Sequence, residues 1–245
     1  MTPGPPATAH VRNQFDRSDW WDRGGFTYGL HELLNPVRVP YVLRALGAVD
    51  DLPVLDIGCG GGYLTKALAA AGVKAVGIDI STRAVVAANH AVPEVRHIAG
   101  DAARLPFADG SFDAVVLSEL LEHVTEPERC VAEAARVLAP GGFMVVTGPN
   151  RTLWSRLALI WLAQEWPTRV LPPALHSYSA FIRPDELFAM GDRFGVTRRD
   201  LVGIGLAPRN LVAAARALWS LRRGATTYAA AGTAVRLQQV ESVAV

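Results

Sequence analysis

The sequence predicts an α/β fold, a parallel sheet with helices on both faces. Two observations carry this. Between residues 51 and 148, short apolar runs of strand type alternate with runs of helical composition, the pattern of a sheet covered on both sides. A small-residue turn, "GCGGG" at 58–62, follows the first apolar run and leads into the first helical run. In such sheets, ligands sit beyond the carboxyl ends of the strands, where this turn lies.

Each element follows from its residues. "PVLDI" (53–57) reads as a buried strand, and "YLTKALAAAG" (63–72) as a helix with Gly72 at its C-cap. "KAVGIDI" (74–80) is a second strand, and Ser81 is placed to N-cap "TRAVVAANHA". "VRHIAGD" (95–101) and "FDAVVLS" (112–118) are the third and fourth strands. "PERCVAEAARVL" (127–138) is a helix stopped by Pro140, Gly141 and Gly142, and "FMVVTGP" (143–149) is the fifth strand.

The chain has 245 residues, half of them hydrophobic, enough for one filled core with at most a modest appendage. Residues 1–245 are expected to form a single domain. A net charge of +1 gives no global basic field, so no nucleic-acid partner is expected. Lys66 and Lys74 are the only lysines, and the other cations are arginines. The two cysteines, Cys59 and Cys130, have no metal-type spacing, and a reduced cytosolic chain is the expectation. The Pro-rich start, "MTPGPPATAH", lacks the regions of a signal peptide. No uninterrupted apolar stretch approaches the roughly 18 residues of a membrane span.

The glycine turn poses a choice of ligand. A dinucleotide fingerprint wants G-x-G-x-x-G. Gly58 and Gly60 fit the first two places, but Tyr63 takes the third. The run reads instead Asp56-x-Gly58-x-Gly60-x-Gly62. An acid two residues before the first glycine suits a cationic or zwitterionic ligand and opposes a pyrophosphate. Asp79 ends the second strand, about 20 residues past the loop, where a carboxylate accepts from ribose hydroxyls. Asp101 ends the third strand, within reach of an adenine amino group. Taken singly, Asp79 is also explained as a helix N-terminal acid and Asp101 as a turn residue. Three acids at three strand ends, with no cation in the loop, suit an adenosine carrying a positive centre, such as S-adenosylmethionine (SAM). Cys59 reads as a packing residue.

These motifs, with "LPFADGSFDAVVLSELLEHV" and "VLAPGGFMVVTGPN", resemble the class I SAM-dependent methyltransferases over about 50–150. The resemblance implies their Rossmann-like fold, a mostly parallel seven-stranded sheet with an apolar lid insert. "WWD" (20–22), "NPVR" (35–38), "ELLEHV" (119–124) and "FIRPDEL" (181–187) narrow it. They resemble the ubiquinone-biosynthesis O-methyltransferases over about 15–190, with a looser echo in "GIGLAPRN" (203–210). The implied organisation is a helical cover (1–48), a SAM-binding core (49–150), a lid insert (151–182) and a C-terminal part of the sheet and helices (183–245). The resemblance makes Arg38 a cofactor residue and carries cofactor contacts onto Gly58, Asp79 and Ser118. Ser118 stands where that group has a larger apolar residue, so its side chain is not expected to supply the contact.

A second constellation lies in "SELLEHV". Glu119, Glu122 and His123 stand at i, i+3 and i+4 and share a face if the segment is helical. The resemblance implies a divalent metal here (Mg, Mn or Zn), binding a phenolate whose free pKa is near 10. The alternative is His123 as a base or orienting group without metal. His176, in "PPALHSYSAF", reads equally as a general base or as a hydrogen-bonded loop histidine.

"LWSRLALIWLAQEWPTRVLPPAL" (153–175) is too apolar for an exposed loop. It reads as a lid helix with Trp154, Trp161 and Trp166 lining an apolar pocket or resting on a membrane. "RNLVAAARALWSLRR" (209–223) reads as a helix placing Arg209, Arg216, Ser220 and Arg223 on one face, for anionic lipid or simply for solvent. Tyr178 and Phe181 are expected to shape the pocket.

The functional expectation is a cytoplasmic SAM-dependent O-methyltransferase acting on a hydroxyl of a hydrophobic phenol, catechol or quinol. Peripheral association with the inner face of a membrane is part of it. The alternatives are a C- or N-methyltransferase of secondary metabolism and a SAM-binding partner that transfers nothing. The reaction would be an in-line displacement with the nucleophile about 3 Å from the methyl carbon.

Overall fold

The computed structural model describes residues 7–17, 26–47, 53–165, 175–205, 220–223 and 232–240. Five strands run parallel: β1 (Val54–Ile57), β2 (Ala75–Asp79), β3 (Arg96–Ala99), β4 (Phe112–Ser118) and β5 (Leu138–Pro149). Three more join them antiparallel: β6 (Val196–Gly205), β7 (Ser220–Arg223) and β8 (Gly232–Gln239). The order across the sheet is β3-β2-β1-β4-β5-β8-β6-β7. It is the expected Rossmann-like sheet with one more strand, β7, added at the edge beyond β6.

The helices are α1 (Ala7–Arg17), α2 (Phe26–Leu46), α3 (Tyr63–Ala70), α4 (Thr82–Ala91), α5 (Pro127–Val137), the single turn α6 (Leu153–Ser155) and α7 (Pro184–Arg193). A π-helix, Arg156–Glu165, continues α6. None among the described residues is long and apolar enough to cross a membrane.

Strand alternation divides the core. Leu55, Ile57, Val115, Leu117, Met144 and Val146 face one way and pack with Val131, Ala134 and Ala135 of α5 and Leu187 of α7. Val54, Ala114, Val116 and Val145 face the other and pack with Tyr41, Val42 and Leu46 of α2 and Leu64 and Leu68 of α3. Asp56, two residues from Val54, therefore points towards α2. On α2, Arg38, Tyr41, Val42 and Ala45 are all buried, the i, i+3, i+4, i+7 stripe of a helix laid on a sheet. Arg38 thus approaches the carboxyl end of β1 as part of a packing face.

Local signals behave as their chemistry requires. Ser81 caps α4, its Oγ accepting from the Ala84 N–H at 3.1 Å. Gly72, at φ 79°, closes α3, its N–H donating to the Ala69 carbonyl at 2.9 Å.

Two expectations are corrected. The fifth helix stops at Val137, and Leu138 already pairs with Phe112 on β4. Residues 139–142 then bulge out before pairing resumes at Phe143 opposite Ala114. The helical reading of 209–223 fails at its end: Ser220–Arg223 pair with Val202–Gly205 as β7. Backbone hydrogen bonding to the β6 edge overrides helical composition there. Residues 209–219, "WWD" at 20–22, Trp166 and 206–210 lie outside the described residues.

Candidate active site

The glycine turn leaves β1 at the carboxyl edge of the sheet. Gly58 and Cys59 donate from their N–H groups to the Ile78 carbonyl at 2.8 and 3.1 Å, which folds the turn back over β2. Gly58 and Gly62 take φ values of 77° and 80°, a region L side chains avoid. A Cβ on Gly58 would also stand 2.8 Å from Leu120 Cδ1. These glycines are therefore fixed by backbone shape and by close packing.

The three strand-end acids differ in surroundings. Asp79 accepts from the Gly60 N–H through Oδ2 (2.9 Å) and from the Ser81 N–H through Oδ1 (2.8 Å). Burial raises its pKa against the lowering effect of these bonds. Asp56 is 1% exposed, and its Oδ2 has no hydrogen-bond partner among the described residues. Burial pushes its pKa up to about 7, with Arg38 pulling it down and Asp79 pushing it further up. Asp101 accepts from the Ala103 N–H at 2.9 Å through Oδ1 and stabilises its own turn. Arg38, also buried, donates from Nη2 to Asn35 Oδ1 at 2.6 Å.

Below and above the turn lie residues that the sequence did not signal. Thr65 donates to the Gly62 carbonyl at 3.0 Å and meets His97 Nε2 at 2.8 Å; Asn89 faces the other ring nitrogen at 3.3 Å. This buried polar link ties the third glycine to β3. From the other side, Asp16 of α1 accepts from Ser81 Oγ at 2.6 Å, and Phe15 sets its ring edge-on to His123, centroids 5.4 Å apart. Helix α1 therefore spans the turn from the start of α4 to the second constellation.

That constellation is not the helix face the spacing implied. Glu119 leaves β4 with φ 53°, the one non-glycine residue at positive φ among those described. Its N–H donates to the Thr147 carbonyl at 2.9 Å, and its Oε1 accepts from Thr147 Oγ1 at 3.0 Å. Thr147 also meets Ser118 Oγ at 2.8 Å, so the Ser118 side chain is turned to β5. Residues 121–123 form a turn, closed by the His123 N–H on the Leu120 carbonyl at 2.9 Å, and helix resumes only at Pro127. The left-handed residue at 119 ends the strand without starting a helix.

The turn brings a different trio together. Ligand atoms of Glu122, His123 and His176 lie within 4.8 Å of one another; Glu119 is not in the group and is replaced by His176. The His123 and His176 rings lie 5.1 Å apart, and Phe181 packs beyond His176 at 5.8 Å. Burial, then His176, lowers the His123 pKa to about 3, and burial lowers that of His176 to about 4. Both imidazoles are neutral at ordinary pH. Burial raises the Glu122 carboxyl well above the usual range, and the Glu119 charge adds to this. Glu122 Oε1 and His176 Nδ1 are buried without hydrogen-bond partners among the described residues. Two neutral imidazoles and a desolvated carboxyl form a donor set that a cation would satisfy.

The insert stands beside this trio. Thr152 and Ser155 form a reciprocal capping box. Leu153, Trp154, Leu157 and Trp161 are 80%, 56%, 39% and 44% exposed, one stripe along α6 and the π-helix. Gln164, at the far end, is buried and bonded to the backbone of His176. Tyr178 packs against Phe181 with centroids 6.0 Å apart, and Arg156 lies 5.5 Å over its ring.

Sheet order, glycine turn and strand-end acids define a SAM-dependent methyltransferase of class I. Residues 55–146 match the methyltransferase domain family. The fold is shared with a solved SAM-dependent methyltransferase of Thermotoga maritima, described as a possible histamine N-methyltransferase. Identity is 21% and TM-score 0.65, covering 94% of this chain and 100% of that one. The SAH-bound magnesium protoporphyrin IX methyltransferase of Synechocystis is similar at 19% identity and TM-score 0.65, covering 94% and 99%.

The chain belongs to the family of ubiquinone biosynthesis O-methyltransferases. It is 37% identical to that enzyme of Alkalilimnicola ehrlichii over 208 residues, 82% of this chain and 83% of the relative. It is 36% identical to that of Coxiella burnetii over 194 residues, 78% and 82%, and 35% identical to that of Leptothrix cholodnii over 198 residues, 77% and 82%.

Proposed function

We propose that this enzyme methylates a phenolic hydroxyl of a lipophilic, catechol-type ubiquinone precursor. The observation that carries the reading is the trio of the buried Glu122 and the half-buried His123 and His176, at the carboxyl edge of the sheet that also holds the glycine turn. The names of the relatives support the substrate class.

The residues present fit SAM. The desolvated Asp56 suits its ammonium and Arg38 its carboxylate. Asp79 suits the ribose hydroxyls, Asp101 the adenine amino group, and the backbone of Gly58, Gly60, Gly62 and Ser118 allows close approach. SAM supplies an electrophilic methyl group on a sulfonium. Asp56, Asp79 and Asp101 would hold the cofactor by its ammonium, ribose and adenine and so position that methyl group.

On the acceptor side, the neutral His123 and His176 offer nitrogen lone pairs to a phenol O–H and orient its oxygen. Imidazoles with pKa near 3 and 4 are weak bases, so phenol activation needs more than they supply. Alternatively, Glu122, His123 and His176 would hold a divalent cation, the imidazoles giving it those same lone pairs in place of the phenol O–H, and its charge would lower the pKa of a phenol. Two nitrogen donors favour Mn or Zn over Mg, which prefers oxygen. The exposed stripe of Leu153, Trp154, Leu157 and Trp161 would suit an isoprenoid-like tail or a membrane surface, and its exposure is what supports peripheral association with a bilayer.

The test is incubation with labelled SAM and a panel of lipophilic catechols, locating the methyl group by mass spectrometry. Methyl on a phenolic oxygen is expected. Methyl on carbon or nitrogen, or none on any catechol, overturns the reading.

A further inference from the structure

His176 has a neighbour with no role in cofactor binding or in the trio. The Gln164 carboxamide donates from Nε2 to the His176 carbonyl at 3.1 Å and accepts from the His176 N–H through Oε1 at 2.8 Å. One side chain thus binds both backbone polar groups of a residue twelve positions away, as a neighbouring strand would. Gln164 is 7% exposed. The two bonds are therefore partly shielded from competing water, and losing them would cost the His176 backbone both partners. His176 sits in a stretch without helix or strand of its own, between Leu175 and the short 3-10 turn Tyr178–Ala180. Phe181 and His123 flank its ring, and among the described residues the Gln164 carboxamide is what holds its backbone N–H and carbonyl. Gln164 lies on the π-helix, a rare geometry that recurs at functional sites. The same helix carries the exposed stripe.

We propose that Gln164 is a positioning residue: its carboxamide clamps the backbone of His176 and so couples the placement of that imidazole to the apolar insert. This rests on the reading of His176 as an acceptor-side residue. The clamp acts on the backbone, so it serves equally whether the imidazole meets a phenol or a cation. A glutamine is the side chain that suits the task, since it offers one donor and one acceptor in one plane. A substrate tail or bilayer pressed on Leu157 and Trp161 would then steady Gln164 and, through it, His176.

The experiment compares wild type, Q164L and Q164E. Leucine removes both bonds, while the nearly isosteric glutamate keeps the acceptor for the His176 N–H. With SAM and a long-chain catechol, Q164L should lose about tenfold in kcat, the scale of a sub-ångström misplacement. Its KM for SAM should stay within about twofold, because no SAM contact is touched. Q164E should fall between Q164L and wild type. In parallel, the imidazole signals of His176 in ¹⁵N-histidine-labelled protein should shift and broaden in Q164L, while those of His97 stay in place. If Q164L keeps wild-type kcat, or if kcat falls with His176 signals unmoved, the proposal is overturned. If Q164L does not fold, the Q164E signals and kcat decide by the same criteria. Should wild type methylate no phenol, the proposed function fails on its own; unmoved His176 signals would then overturn the clamp, and shifted ones support it.

Discussion

Asp79 and Gly60, nineteen residues apart, are joined by a 2.9 Å hydrogen bond from the Gly60 N–H to Oδ2 of the carboxylate. The acid at the end of β2 thereby holds the middle of the turn that ends β1. Its Oδ1 holds the Ser81 N–H at the start of α4. The acid proposed to hold the ribose thus also shapes the glycine turn.

Replacing Asp79 should therefore weaken the cofactor twice over, through lost contact and a loosened turn. D79A should lower SAM affinity by about 1–3 kcal/mol, the range for unmatched buried partners. Isothermal titration on the folded variant measures this. Unchanged affinity would remove Asp79 from the site, and a wild type that bound NAD in place of SAM would sink the cofactor assignment.

Asp56 should make cofactor binding depend on pH. Its carboxyl is raised to about 7, so below that pH it is mostly protonated and neutral. A cationic ammonium binds the ionised form, so a proton must leave before the contact forms. SAM affinity should rise as pH climbs towards about 7 and then level off. Well below that value it should fall by up to about tenfold per pH unit. D56N, which has no proton to lose, should bind weakly and with a flat profile over the same range. Calorimetry in two buffers of different ionisation heat would also detect the proton released. A wild-type profile as flat as that of D56N would show that Asp56 is already ionised or makes no contact.

The metal set can be separated from its sequence-based version. E122Q and H176A should lose a bound Mn or Zn ion, measured by elemental analysis after dialysis. E119Q should retain it, because Glu119 is bonded to Thr147 and lies outside the trio. Chelation of the wild type should lower turnover, with recovery on adding the cation. Full turnover in excess chelator with no metal in the protein would leave the two imidazoles to act alone.

What the sequence reveals and what it hides divide along a physical line. The places of Asp56 and Asp79 are legible because β1 and β2 fix where their side chains go, and strands follow from local apolar runs; Asp101, expected to end the third strand, lies two residues past β3, which stops at Ala99, in a turn that its own carboxylate closes. The turn at Glu119 is hidden, because a non-glycine residue in the left-handed region leaves no compositional mark. Spacing alone made Glu119, Glu122 and His123 a helix face, and one backbone angle undid it. His176, Gln164 and Asp16 come to the site from elements far apart in the chain, and Asp16 reaches Ser81 across 65 residues. No periodicity encodes such meetings. The strand Ser220–Arg223 is hidden for a related reason: its partner Val202–Gly205, not its own helical composition, makes it a strand.

The exposed stripe carries the last prediction. Trp154 and Trp161 are 56% and 44% exposed, so roughly 100 Å² of each side chain stays in water. Covering that area is worth about 2.5 kcal/mol per tryptophan at about 25 cal/mol per Å². Leu153 and Leu157 extend the same stripe, and the exposed Arg156 lies beside it. A tail that lies along the stripe gains this burial, and a short catechol cannot reach it. W161Q should therefore raise KM for a long-chain catechol by about tenfold or more, since 1.4 kcal/mol is tenfold, and leave KM for a short one nearly unchanged. An anionic bilayer offers the same burial to both tryptophans and a counter-charge to Arg156. Wild type should co-sediment with phosphatidylglycerol vesicles, more at low salt than high, and the double variant W154Q/W161Q should not. Equal losses on long and short substrates would mean that the stripe does not hold a tail. Wild type remaining in the supernatant at low salt would mean that it does not meet a membrane.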